Sequence, residues 1–191
     1  MITDRITIKT EVVFSDDRQH RYLLRKEWDS KKPKATVIMT NPSTADILTT
    51  DYTTMYIMNN LTKLGFGSVD IVNLISKPTT KLRVKDDVDS LNEENILHIV
   101  KSAERSEFVI IAWGKLGENN KKVRAIQDEL LHRLRASKNK LYIIASENGD
   151  TGFHPLAPQI RFTWILKEFQ LPERPKTKEE AVNDAASAQE K

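Results

Sequence analysis

The chain contains no cysteine in 191 residues. Disulfides, thiolate zinc sites and cysteine-ligated iron–sulfur clusters are therefore excluded. Long apolar runs are missing too. The longest, 108–113 and 141–145, fall far short of the ~20 residues that cross a bilayer. The four histidines, His20, His98, His132 and His154, have no close metal-ligand spacing; nothing favours a metal site, although carboxylates leave one open, and no cofactor is expected. There is no G-x-x-x-x-G-K-[ST] loop, no G-x-G-x-x-G, no G-x-S-x-G elbow and no H-E-x-x-H, which removes several common enzyme classes. The first residues, Met1-Ile2-Thr3-Asp4-Arg5, lack the basic-then-apolar layout of a secretory signal, so a cytoplasmic protein is expected.

What is present reads as an ordinary globular chain, 39% hydrophobic and 30% charged. The expected organisation is one α/β domain over 1–170, with a polar, poorly ordered tail over 171–191. The net charge of +3 is small, but its distribution is uneven: 115–140 holds eight Lys/Arg against three Asp/Glu. Two readings fit this stretch. It is a solvated helix face, or Lys115, Lys121, Lys122 and Arg124 contact the phosphates of a nucleic acid.

Residues 6–14 and 21–25 are rich in β-formers and flank the turn-like Ser15-Asp16-Asp17, predicting an N-terminal hairpin. Short buried strands are predicted at 35–40, 69–73, 108–113 and 141–145. Helices are expected at 51–64, from the capping box Ser90-Leu91-Asn92-Glu93 to about 102, around Val123, Ile126, Leu130, Leu131 and Leu134, and at 162–169. Residues 77–89 read as a long loop. Strands alternating with helices predict a three-layer α/β/α sandwich around a mainly parallel, four-stranded sheet.

Each predicted central strand ends in a short motif: Thr40-Asn41-Pro42-Ser43, Asn73-Leu74, Ala112-Trp113-Gly114, and, after the fourth, His154-Pro155-Leu156. Parallel strands converge on one crevice at their carboxyl ends, where ligands bind. Asn41 either closes a turn before Pro42 or holds a carboxamide that orients a water. Ser43 and Thr44 either cap the next helix or grip a phosphate, and Asp46 is a reserve general base. Asp51 reads as a helix start. Asn73 is either a turn former or a reader of a base edge, because its amide pairs a donor with an acceptor. Trp113 either packs the core or stacks on a base. His154 sits in a Gly/Pro loop, where a neutral imidazole can stabilise a departing anion. Phe153 can stack on that base and Leu156 can wedge into a duplex, or both can be hydrophobic anchors.

On these motifs the chain resembles the uracil-DNA glycosylase superfamily. Asn41-Pro42 resembles the first active-site motif of its mismatch-specific and thymine glycosylase branches. Asn73 resembles the strand-end asparagine that reads the base, and His154-Pro155-Leu156 resembles the second motif with its intercalation loop. Asn41-Pro42-Ser43-Thr44-Ala45-Asp46, with Arg21-Tyr22 and Trp28-Asp29, also resembles a bacterial and phage family known by its Asn-Pro-Ser-Thr-Ala-Asp signature. The resemblance implies a monomeric, metal-free DNA glycosylase. Asn41 and His154 would be catalytic, with Asp46 in reserve. Asn73, Trp113, Phe153 and Pro42 would hold the base, and Ser43, Thr44, Lys115, Lys121, Lys122, Arg124 and Leu156 would contact DNA. The Gly or Tyr that often surrounds the first proline and the Ser after His-Pro are absent. The expected substrate is therefore an enlarged, modified pyrimidine. Such bases occur in phage DNA, which admits a role in defence.

Overall fold

In 35–39 successive side chains part to opposite faces. Ala35, Val37 and Met39 join one buried cluster and Ile38 joins the other. A strand buried on both faces needs a nearly continuous apolar run; here the exception is Thr36, whose buried hydroxyl pairs with that of Ser106 at 2.8 Å. The computed structural model describes residues 1–43, 45–78 and 92–172. Its strands are β1 (Lys9–Phe14), β2 (Arg21–Glu27), β3 (Lys34–Met39), β4 (Ser68–Asn73), β5 (Phe108–Ile111), β6 (Leu141–Ala145) and β7 (Ile165–Glu168). The helices are α1 (Tyr52–Lys63), α2 (Glu93–Glu104), the short α3 (Leu116–Asn119) and α4 (Lys121–Arg133), which runs into a 3-10 stretch at Leu134–Lys140.

All seven strands form one sheet in the order β1-β2-β4-β3-β5-β6-β7. The pairs β3–β4, β3–β5 and β5–β6 are parallel; β1–β2, β2–β4 and β6–β7 are antiparallel. The fold is thus mixed α/β; the sheet is larger than the four strands expected and is not mainly parallel, three of its six pairings being antiparallel. There are two reasons. The hairpin is not an appendage: β2 is buried along most of its length and pairs with β4 through Leu24 and Ile71. The expected helix at 162–169 does not form, and Ile165–Glu168 instead adds to β6 as an edge strand. Eight residues make a marginal helix, while the free edge of β6 offers a ladder of unpaired amides.

Helices cover both faces. Ile96, Ile99 and Ala103 of α2 and Val123, Ile126 and Leu130 of α4 pack on one. Ile57 and Leu61 of α1 pack on the other, with Ile160 and Trp164. The helix starts are capped by side chains: Asp51 accepts from Thr54 N at 2.8 Å, Asn92 from Asn95 N at 3.0 Å, and Asn120 from Lys122 N at 3.0 Å. The cap of α2 is thus Asn92, two residues beyond the expected Ser90. Ser90, Leu91, Thr44, most of the expected 77–89 loop and 173–191 of the expected tail lie outside the described residues. Leu171, at the start of that tail, packs against the α2/α4-side cluster. Among the described residues no helix is long and apolar enough to cross a membrane.

The consequence for function is positional. β4, β3, β5 and β6 run the same way, so their carboxyl ends share one edge. The chain leaves that edge to enter α1, α2 and α4, whose amino ends therefore return to it.

Candidate active site at the carboxyl edge of the sheet

Short hydrogen bonds and close packing tie the four motif segments together. The Thr40 hydroxyl donates to the Trp113 carbonyl at 2.6 Å, joining the ends of β3 and β5. Beyond β4, Leu74 N donates to Met39 O and Ile75 N to Thr40 O, both at 2.9 Å. Gly114 has φ +69°, and a Cβ added there would lie 3.3 Å from the His154 Cβ. A residue with no side chain and left-handed backbone lets the loop after β6 close onto the end of β5.

Asn73 ends β4 with no exposure. Its backbone carbonyl accepts from Asn95 Nδ2 at 2.8 Å. Its side-chain Nδ2 and Oδ1 are both buried without a partner. By strand alternation its carboxamide shares the α1 face with Ile71, and Phe153 packs against the cluster on that face.

His154 is half-buried, and burial lowers its pKa below the ordinary imidazole value, against a raising influence from the Asp51 carboxylate. Leu156 N donates to its Nδ1 at 3.3 Å. A neutral imidazole that accepts at Nδ1 carries its proton on Nε2, so Nε2 is the donor. The Asp51 carboxylate also bears electrostatically on Arg21.

Arg21 is 2% exposed at the start of β2. Its Nη1 donates to the carbonyls of Ser43, at 3.2 Å, and of Ala45. The guanidinium thereby props the turn that follows β3. Burial pulls its pKa down, while Asp51 and Asp46 push it up.

A family model described as a protein of unknown function (DUF1643) matches residues 21–156. This covers more than half of the chain, and all four motifs lie within it. The chain belongs to the DUF1643 family. Neither the curated proteins nor the solved structures contain a match.

Within this DUF1643 domain the expected site residues separate into groups. Asn41, Pro42, Ser43, Asn73, Gly114, Phe153 and His154 gather at the carboxyl edge, with Pro42 buried and Asn41 half-buried. The Asn41 Nδ2 lies 3.5 Å from the Pro42 carbonyl. The Ser43 hydroxyl oxygen is buried without a partner. Trp113 contributes its carbonyl, but its ring packs against the α2/α4-side cluster, on the opposite face from Asn73. Asp46 is exposed and closes a turn, accepting from Thr49 N at 2.8 Å and Leu48 N at 2.9 Å. Those amides hold its carboxyl below the ordinary range, which makes it a weak base. Lys115, Lys121 and Lys122 are exposed near the start of α4. Arg124 lies 3.7 Å from Asp128 in an exposed ion pair, and Leu156 is 38% exposed beside His154. Among the described residues, no group of three or more His, Asp or Glu is arranged to hold a metal ion.

Sequence reasoning missed the part played by Arg21 and ranked Asp51 below Asp46. For Arg21 there was no local signal, because its partners lie 22 and 24 residues away. For Asp51 the helix start was read correctly, but its electrostatic influence on both Arg21 and His154 depends on the tertiary fold.

Proposed function

We propose that the protein is a monofunctional DNA glycosylase that hydrolyses the N-glycosidic bond of a flipped-out, modified pyrimidine and leaves an abasic site. The observation that carries this reading is the Asn73 carboxamide, fully buried with both polar atoms unpaired. An orphaned donor and acceptor on one planar group are costly inside a protein. A nucleobase edge, itself a donor beside an acceptor, relieves both at once. His154 adds the second element, a neutral N–H at Nε2 at the same carboxyl edge.

In this reading the target nucleotide leaves the helix and enters the crevice. Asn73 reads the base edge, Phe153 packs against its ring, and Asn41 orients the attacking water. As the glycosidic bond breaks, negative charge gathers on the base and the His154 Nε2–H stabilises it. Leu156 fills the space the base vacated, and Lys115 before α3, with Lys121 and Lys122 at the start of α4, holds flanking phosphates. The fold relation to uracil-DNA glycosylases and a role against phages with modified DNA belong to the same proposal. The test is to incubate DNAs carrying different modified pyrimidines with the protein, treat with alkali and look for strand breaks at abasic sites. Breaks should appear with modified DNA and be weak or absent with uracil in ordinary duplex. Tight nucleotide binding with no base release from any DNA would instead favour a non-catalytic binding module. Base release from free nucleotides alone would make the protein a nucleotide hydrolase.

A further inference from the structure

Arg21 leaves its Nε and Nη2 atoms buried and unpartnered, although Nη1 of the same group is used twice. These two nitrogens form one edge of the guanidinium. Their N–H bonds run parallel, at the spacing of two oxygens on a carboxylate or phosphate. The same strand supplies a comparison. Arg25, four residues on, fills that edge with Asp70, Nε to Oδ1 at 2.7 Å and Nη2 to Oδ2 at 3.0 Å. In Arg21 the equivalent edge holds no acceptor.

The surroundings of this edge are those of the candidate site. Arg21 N donates to Ser76 O at 2.9 Å, so Arg21 starts beside the segment that follows Asn73. Its guanidinium reaches Ser43 and Ala45, in the turn that follows β3. The strand order is β2-β4-β3, so the side chain crosses the carboxyl end of β4, where Asn73 sits. Among the described residues, the buried, unpaired atoms of this region include Arg21 Nε and Nη2, Ser43 Oγ, Asn73 Nδ2 and Oδ1, and Oδ1 of the neighbouring Asn95. A buried cation with no hydrogen-bonded anion is strongly unfavourable, and native structures keep one where something else completes it.

We propose that Arg21 and Ser43 form an oxyanion subsite beside Asn73, filled by an acidic group carried on the base itself. This rests on a base entering the crevice, as proposed above, and it names the class of modification. The depth of the edge decides between sources. Backbone phosphates of a flipped nucleotide stay at the mouth of a pocket, whereas this edge is walled off beside the amide that reads the base.

The test uses the full-length, ¹⁵N-labelled protein and the arginine Nε–Hε signals, assigned with Arg21→Lys. The probes are uracil-5-carboxylate, neutral uracil, uridine 5′-monophosphate and inorganic phosphate. Uracil-5-carboxylate should shift the Arg21 signal saturably, leave the Arg25 signal in place and bind at least 10-fold tighter than uracil. Ser43→Ala, which leaves the Arg21 hydrogen bonds to backbone carbonyls intact, should weaken it several-fold with unfolding unchanged. Arg21→Lys keeps the charge but loses the fork, and should abolish the preference over uracil. An Arg21 signal indifferent to every anion would overturn the subsite. A shift with phosphate and the nucleotide, but not with uracil-5-carboxylate, would overturn the base-borne assignment. The readout needs no cleavage, so the two proposals fail separately. Base release from neutral pyrimidines with a silent Arg21 signal sinks the subsite alone. Anion binding with no base release from any DNA sinks the glycosylase reading alone.

Discussion

Replacing Asn73 by leucine should make the protein more stable and abolish its function. The two side chains share a heavy-atom skeleton, so leucine puts two methyl groups where the amide nitrogen and oxygen sit. Those two atoms are buried and unpaired in the free protein. Each buried polar group without a partner costs about 1–3 kcal/mol. Some of that is offset by the bulk of two methyl groups in a well-packed site, where overpacking costs about 1–3 kcal/mol. The balance expected is a gain of about 1–2 kcal/mol, or a rise in Tm of roughly 3–6 °C for a chain of this size. Thermal unfolding followed by circular dichroism measures it, with Asn95→Leu as the opposite control. Asn95 Nδ2 donates to the carbonyls of both Asn73 and Leu74, at 2.8 and 3.1 Å, and its loss should destabilise by about 1–3 kcal/mol. A drop in Tm for Asn73→Leu comparable to that of Asn95→Leu would mean that the Asn73 amide serves the fold, and the reasoning that reserves it for a ligand would be refuted.

Asn41→Ala and His154→Ala should each lower base release roughly 10²-fold, as loss of a fixed catalytic group does, with unfolding nearly unchanged; wild-type rates in both would remove their roles. Because burial lowers the His154 pKa from 6.5, the ring is already neutral at pH 7. Activity should therefore hold level from pH 8 down to about 6.5 and fall only below that; a fall on the alkaline side would point to an imidazolium instead. The same shift has a stability sign: the unfolded chain protonates this ring first, so stability is lost as pH drops below the unfolded value. Reversing Lys121, Lys122 and Arg124 to glutamate should spare the fold and lower the salt slope of DNA binding by about 0.9 for each phosphate no longer neutralised; an unchanged slope would make the patch a solvated face. Gly114→Ala forces a side chain into left-handed backbone, at about 1–2 kcal/mol, with its Cβ 3.3 Å from that of His154. Both Tm and base release should fall, and a neutral result would deny that this close approach matters.

The central strands were legible because a strand covered on both faces must be apolar throughout, as 35–39 and 69–72 nearly are. The edge was not: Ile165–Glu168 is mostly exposed, so no buried pattern marked it as strand rather than helix. The shared carboxyl edge followed from strand order, which placed Asn41, Asn73 and His154 in one region. Side-chain direction did not follow. Trp113 follows β5, two residues beyond its end at Ile111, and its ring turns to the α2/α4 face. Asp46 and Asp51 are the same residue type five positions apart. Local amides claim both, Asp46 as a turn closure and Asp51 as the cap of α1, and only the tertiary fold lets the Asp51 carboxylate influence both Arg21 and His154. Arg21 looks like any cation at the start of a strand until the turn after β3 is laid over it.

The most direct test of the central claim is mass spectrometry of free bases released from DNAs carrying different pyrimidine modifications, run beside His154→Ala. One class of modified pyrimidine should be released, abasic sites should appear in equal number, and the variant should release the base roughly 10²-fold more slowly. No base released from any DNA, with the folded protein still binding nucleotides, would contradict the claim.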